Sequence, residues 1–176
     1  MQTPTFVQVN HAEHGQEILT VTMEYFDWMN QEITKLCGFS IPDMIGQPLD
    51  QYVQDTVGTV CSGVPPEGVF YLMQDDGVTV GSGGLRRLPD GSVEVVRIFI
   101  RPQFRGRGYG RQLLGRLLAD AHDFGYTVAK LDTGGFMHSA HRIYESFGFE
   151  DCPPYEGAEA PPRLIPYWRY MSKRID

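Results

Sequence analysis

Between Glu13 and Leu36 apolar residues recur at steps of three and four, placing Ile18, Val21, Tyr25, Trp28 and Met29 on one side of a helical wheel. The spacing predicts a long amphipathic helix whose stripe packs on a sheet, with Gly38, just after Cys37, as its stop. Ahead of it, FVQV at residues 6–9 reads as a short first strand. Prolines and glycines mark residues 39–66 as loops around one further helix near Leu49–Val57, where Leu49, Val53 and Val57 repeat every four residues.

The period then changes. GVFYLMQ (68–74), VTVGSGGLRRL (78–88) and SVEVVRIFI (92–100) are separated by the turns Asp75-Asp76-Gly77 and Pro89-Asp90-Gly91, which predicts an antiparallel meander. Gly81, Gly83 and Gly84 weaken the middle strand and predict a bulge or a close approach by another group. VEVVRIFI is apolar enough to be central with both faces covered, and Pro102 lies beyond its end because proline cannot continue a ladder. Leu113, Leu114, Leu117, Leu118 and Ala121 form one face of the next helix. YTVAKLDTGG (126–135) is the following strand, parallel to VEVVRIFI if the connecting helix crosses right-handedly. DCPPYEGAEAPP (151–162) reads as an irregular loop and LIPYWRYMSK (164–173) as the last strand, where Trp168 and Tyr170 share a face that closes the core, meets another subunit or lines a site.

Composition narrows the class. With 176 residues the chain falls in the one-domain range, 1–176, and should bury about 70% of its unfolded surface. A hydrophobic fraction of 41% and a charged fraction of 21% suit a folded protein. The net charge of -7 disfavours a nucleic-acid partner and suits an amine-bearing one. No window approaches the roughly 20 apolar residues of a membrane helix, so no membrane partner is expected. Cys37, Cys61 and Cys152 have no metal-ligand spacing and an odd count, which reads as a reduced set, and the first residues carry no basic start followed by an apolar stretch. A cytoplasmic location is the expectation. The five histidines form no metal constellation, and His138 and His141 read as helix-surface residues.

The segment RIFIRPQFRGRGYGRQLLGRLL (97–118) carries the chemistry. A strand, a glycine-rich turn and a helix start, in that order, form an anion site: the absent side chains let backbone amides close on phosphate oxygens, and the helix start adds partial positive charge. Arg105, Arg107 and Arg111 could add charge pairing, while a tight structural turn is the plain alternative. The segment lacks the Walker loop spacing. It also follows antiparallel hairpins, which argues against a dinucleotide fingerprint even though Asp132 lies 22 residues past Gly110.

Ile98, Ile100, Pro102, Arg105, Gly106, Gly108 and Gly110 match a strand, proline and Arg-Gly-x-Gly-x-Gly segment, and Ala140, Tyr144, Gly148 and Phe149 match a second, Ala-x-x-x-Tyr-x-x-x-Gly-Phe segment. Together these resemble the GNAT superfamily of acyl-CoA-dependent N-acyltransferases, clearly over residues 67–150. The resemblance implies a single α/β (α+β) domain, with a mixed, mostly antiparallel sheet whose central strands splay apart to admit acetyl-CoA. It implies that the backbone of Ile98, Phe99 and Ile100 pairs with the pantetheine arm and that the amides of Arg105, Gly106, Arg107, Gly108, Tyr109, Gly110 and Arg111 hold the pyrophosphate. Tyr144 matches the tyrosine often assigned as general acid toward the CoA thiolate; by itself its phenol could equally cap a core. Many relatives have asparagine where this chain has Met137, so that side-chain contact must pass to backbone or neighbours.

The implied reaction is acetyl transfer from acetyl-CoA to a primary amine of a small molecule by direct attack in a ternary complex. A backbone amide near Val96–Ile98 would steady the carbonyl oxygen, and a base would take the amine proton. Glu94 is the candidate base or amine anchor, with a structural ion pair as its alternative. Arg97 pairs with Glu94 or recognises a substrate carboxylate, although three-residue spacing puts the two on opposite faces of a regular strand. Glu24, Tyr25, Arg97 and Asp132 are the candidate substrate-side residues; Asp132 and Thr133 either cap a turn or line the cleft. The acceptor is an amino acid, a polyamine-like metabolite, an amine drug or a protein terminus, and the family makes a homodimer plausible. A catalytically silent acyl-CoA sensor and a protein N-acetyltransferase are the alternatives.

Overall fold

The computed structural model describes residues 4–175. After β1 (Thr5–Gln8) comes α1 (His11–Cys37), which starts where the Asn10 side chain accepts from the Ala12 amide and stops at Gly38 with a left-handed φ of 76°. Two helices follow, α2 (Ile41–Ile45) and α3 (Leu49–Val60). The short α2 lies in a stretch whose prolines and glycines predict loop, yet its signal is local: Ser40 and Asp43 form a reciprocal capping box around Pro42.

The expected meander forms as β2 (Gly68–Asp75), β3 (Val78–Arg87) and β4 (Val93–Ile100), with Asp76 and Gly77 both at positive φ in the first turn, as a two-residue hairpin requires. α4 (Tyr109–Asp123) then crosses to β5 (Val128–Gly134), which runs parallel to β4. α5 (His138–Ser146) and β6 (Glu150–Asp151) precede β7 (Trp168–Arg174). The last strand is shorter than expected: Pro162–Tyr167 is a 3-10 helix, because Pro162 and Pro166 cannot donate to a ladder.

The sheet order is β1-β2-β3-β4-β5-β7-β6, and β4 with β5 is its parallel pair. Strand alternation divides β2 between two cores. Val69, Tyr71 and Met73 pack with Leu113, Leu114 and Leu117 of α4, while Phe70 and Leu72 pack with Ile18 and Val21 of α1. The mixed α/β architecture, helices on both faces of a mostly antiparallel sheet, is the one expected.

One irregularity matters for the site. Between the pairs Ser82↔Phe99 and Gly84↔Val96, β4 has one more residue than β3. This is a β-bulge at Arg97, whose φ is +51°, a left-handed conformation that costs a non-glycine residue on the order of 1–2 kcal/mol. Beyond it the strand's parity is reversed, so that Val96 and Phe99, three apart, sit in the same core.

Candidate active site

β4 and β5 pair only at Val93↔Ala129 and Glu94↔Lys130. Past Glu94 they diverge, since β5 takes β7 as its antiparallel partner through Gly134↔Trp168 while β4 follows β3. Among the described residues no strand pairs with the β5-facing edge of β4 from Val95 to Ile100, so its backbone polar groups are open to an extended ligand. A cavity of about 480 Å³ lies in this gap, walled by Ile98, Phe99 and Ile100 on one side and Ala140, Ile143 and Tyr144 of α5 on the other.

The glycine-rich turn closes one end of that cavity. Gly106 and Gly108 have φ of +78° and +81°, and no capping side chain serves the start of α4. The first amides of a helix have no intrahelical acceptor, so those of Tyr109, Gly110 and Arg111 face an anion without competition from a cap. The side chains do less than expected. Arg105 folds back to donate through Nε to the Ile100 carbonyl at 3.0 Å and lies 4.9 Å over the Trp28 ring. Arg107 stacks on Phe104, and Arg111 donates to Ser146 Oγ at 2.6 Å while covering Phe147. The Tyr109 phenol points away to Asp75. In place of direct pairing by three arginines, the turn offers backbone amides in a positive field, which fits a pyrophosphate.

A second, smaller cavity of about 80 Å³ adjoins the first. Its walls are largely apolar, from Phe26, Met29 and Ile33 of α1, Ile41 of α2, and Leu164; Tyr25, Arg97, Asp132, Tyr144 and Glu159 supply polar groups. Ile98, Met137 and Tyr144 line both cavities. Asp132 accepts from Trp168 Nε1 and from the Ala160 amide, each at 3.1 Å. Burial, aided by the charges of Glu94 and Glu159, outweighs these bonds and raises its pKa to about 7. Burial also holds the Tyr144 phenol well above its usual value, with Asp132 adding to the shift, and the residue is only 7% exposed.

Comparison with known proteins bears directly on a cleft of this kind. The Acetyltransferase (GNAT) family matches residues 32–149, from the end of α1 through the start of the β6 region. The chain belongs to this family. An uncharacterized N-acetyltransferase of Schizosaccharomyces pombe is 24% identical over 157 residues, covering 88% of this chain and 90% of its own. A probable N-acetyltransferase, family 8 member 5, of Mus musculus is 26% identical over 151 residues, covering 78% of this chain and 65% of its own. Among solved structures, the PaiA N-acetyltransferase of Thermoplasma acidophilum, in complex with coenzyme A, has the same fold: its TM-score is 0.68 at 14% identity over 98% of this chain and 99% of that one. GNAT membership brings acetyl-CoA-dependent acetyl transfer as the general activity, and the larger cavity, with its open strand edge and uncapped helix start, suits that donor.

The GNAT frame also shows which expected residues stand apart from the cleft. Glu94 lines neither cavity: it is 1% exposed, paired with Arg86 and bonded to the Tyr155 hydroxyl at 2.8 Å. Its partner is not Arg97, whose Nε donates instead to Glu159 at 2.6 Å. Glu24 likewise holds Arg101, at 2.7 and 2.8 Å, outside both cavities. Tyr25, Arg97 and Asp132 do meet in the smaller cavity. His141 is buried at 6% exposure beside the Gly134 carbonyl, a correction to its reading as a surface residue. Tyr155 and Glu159 carry no sequence signal, because they lie in a loop without periodicity that only the tertiary fold brings to β4.

Glu94→Gln is therefore expected to behave as a structural variant. It should lose about 1–2 kcal/mol of stability by weakening a charge-assisted bond, while kcat at pH 8 stays within about threefold of wild type. Thermal melts and steady-state rates measured together decide this; a 100-fold loss of kcat at an unshifted melting temperature would restore Glu94 as the base.

Proposed function

We propose that this GNAT protein transfers the acetyl group of acetyl-CoA to the primary amine of a small molecule by direct attack in a ternary complex. The observation that carries the reading is the shared wall: Tyr144 and Ile98 border the donor cavity and the adjoining smaller pocket at once, so an amine in one lies against a thioester in the other. Acetyl-CoA supplies the activated acyl group. The chain supplies position, proton transfer and exclusion of water.

Each task falls to a residue in place. The open edge of β4 and the amides after Gly106 hold the donor. Asp132, with a pKa of about 7, is half-ionised near neutrality and takes the amine proton. Glu94 is replaced in that role because it is committed to Arg86. Tyr144, kept protonated by burial, donates toward the departing sulfur. No cysteine lines either cavity, which supports direct attack over a covalent relay through cysteine. The small acceptor pocket, about 80 Å³, favours a small molecule over a protein terminus. A cytoplasmic location belongs to the same reading.

The test is a screen of small amines for CoA release, with product mass confirmed. Saturable release with at least one amine supports the reading; acetyl-CoA binding without release from any amine identifies a sensor instead. Within that screen, Tyr144→Phe should lower kcat about 10- to 100-fold while changing the Kd for CoA less than threefold. Equal turnover in the two proteins would remove Tyr144 from proton transfer.

A further inference from the structure

The acceptor-side cavity contains a buried cation with spare capacity. Arg97 is 5% exposed and enters from the β4 bulge, its guanidinium 4.9 Å over the Phe26 ring. Nε donates to Glu159 at 2.6 Å, and Nη2 reaches Glu159 and, at 3.5 Å, Thr56 Oγ1. Nη1 is buried with no hydrogen-bond partner among the described residues, and the Cys61 thiol is the polar group lying beside the guanidinium. A buried guanidinium edge left without an acceptor costs free energy that a ligand oxygen recovers, and a carboxylate is the acceptor best matched to its geometry and charge.

We propose that the acceptor is a free amino acid with an apolar side chain, and that Arg97 is its specificity-determining residue, binding the carboxylate through Nη1. This rests on the reading of the small cavity as the acceptor site. Two charged groups in one cavity then serve the two ends of a zwitterion: Arg97 meets the carboxylate and Asp132 the amine. The side chain has Phe26, Met29, Ile33 and Leu164 to pack against. Glu159 is already engaged on the Nε side of the guanidinium, so it braces Arg97 and leaves Nη1 unengaged. The left-handed backbone at Arg97 marks the β4 bulge from which this side chain enters the cavity.

The inference is tested with wild-type protein, acetyl-CoA and matched acceptors: leucine, leucinamide and isoamylamine, then methionine and 3-(methylthio)propylamine. The amino acids should exceed their amides and decarboxylated amines by at least about 100-fold in kcat/KM, because a site built for a charged group penalises its absence. Arg97→Gln should collapse that ratio toward unity, with Arg97→Lys in between. Equal or better use of the amines or amides by wild type overturns the proposal, whatever the variants do. A second readout needs no turnover. Calorimetric titration of 4-methylpentanoate into CoA-saturated wild type should show binding that weakens at least about tenfold in Arg97→Gln. If no amine is acetylated yet 4-methylpentanoate binds through Arg97, the transfer reading fails and the carboxylate site stands. If amines are acetylated and 4-methylpentanoate does not bind, the carboxylate site fails and the transfer reading stands.

Discussion

Replacing Asp132 with asparagine is expected to lower kcat/KM about 100- to 10,000-fold, the range for loss of a general base, and to erase the acidic limb of the pH profile. In wild type that limb should have its midpoint near the Asp132 pKa of about 7, activity rising with pH as the carboxylate ionises. The variant keeps one amide oxygen, which accepts from Trp168 or from the Ala160 amide but not from both, so the proton acceptor is lost together with one hydrogen bond worth about 1–3 kcal/mol, and melting curves must accompany the rates. Stability should change in the opposite sense. An unfolded aspartate releases its proton near 3.9, whereas the native one does so near 7, so through this window the unfolded chain binds fewer protons and native stability falls as pH rises. Asp132→Asn should flatten that fall. Glu94 contributes to the raised pKa, so Glu94→Gln should move the limb to lower pH without abolishing it. A full-strength acidic limb in Asp132→Asn would assign the proton to another group.

The donor side of this site is legible in sequence because it is local. A strand, two glycines at positive φ and a helix start are contiguous between Ile98 and Arg111, and each part dictates its own backbone. The roles of the arginine side chains are not contiguous with it: Arg105 is drawn back by Trp28, which lies on α1, far away in the chain. The smaller cavity is assembled from α1, α2, α3, β4, β5, α5 and the loop before β7, and only the folded sheet brings them together. Glu94 shows the limit well. Its type and strand position suit a base, but Arg86 across the β3–β4 ladder and Tyr155 from the loop occupy both carboxylate oxygens. The bulge at Arg97 decides which way that side chain points, and nothing in VEVVRIFI marks the extra residue. Glycines on the facing strand marked it indirectly.

Those glycines carry the second large effect. Gly84 stands opposite Phe70, and a Cβ there would lie 2.4 Å from Phe70 Cδ2 and 2.5 Å from the Val69 carbonyl oxygen. Phe70 is 1% exposed and wedged among Ile18, Val21 and Phe99, so the ring has nowhere to retreat. Gly84→Ala should therefore destabilise the fold by about 3 kcal/mol or more, a fall in melting temperature of about 6–12 °C at this size. Gly81→Ala should cost about as much, since its Cβ would lie 2.3 Å from the Phe99 carbonyl oxygen and 2.6 Å from Ile100 Cδ1. The two differ in what else they disturb. Phe99 and Ile100 wall the donor cavity and Gly84 does not, so displacement of β4 by Gly81→Ala should also raise the KM for acetyl-CoA, whereas the folded fraction of Gly84→Ala should keep the wild-type value. Melting curves and KM measured below both transitions separate the cases. Unchanged melting temperatures in both variants would mean that β2, β3 and β4 are less tightly apposed than these distances require.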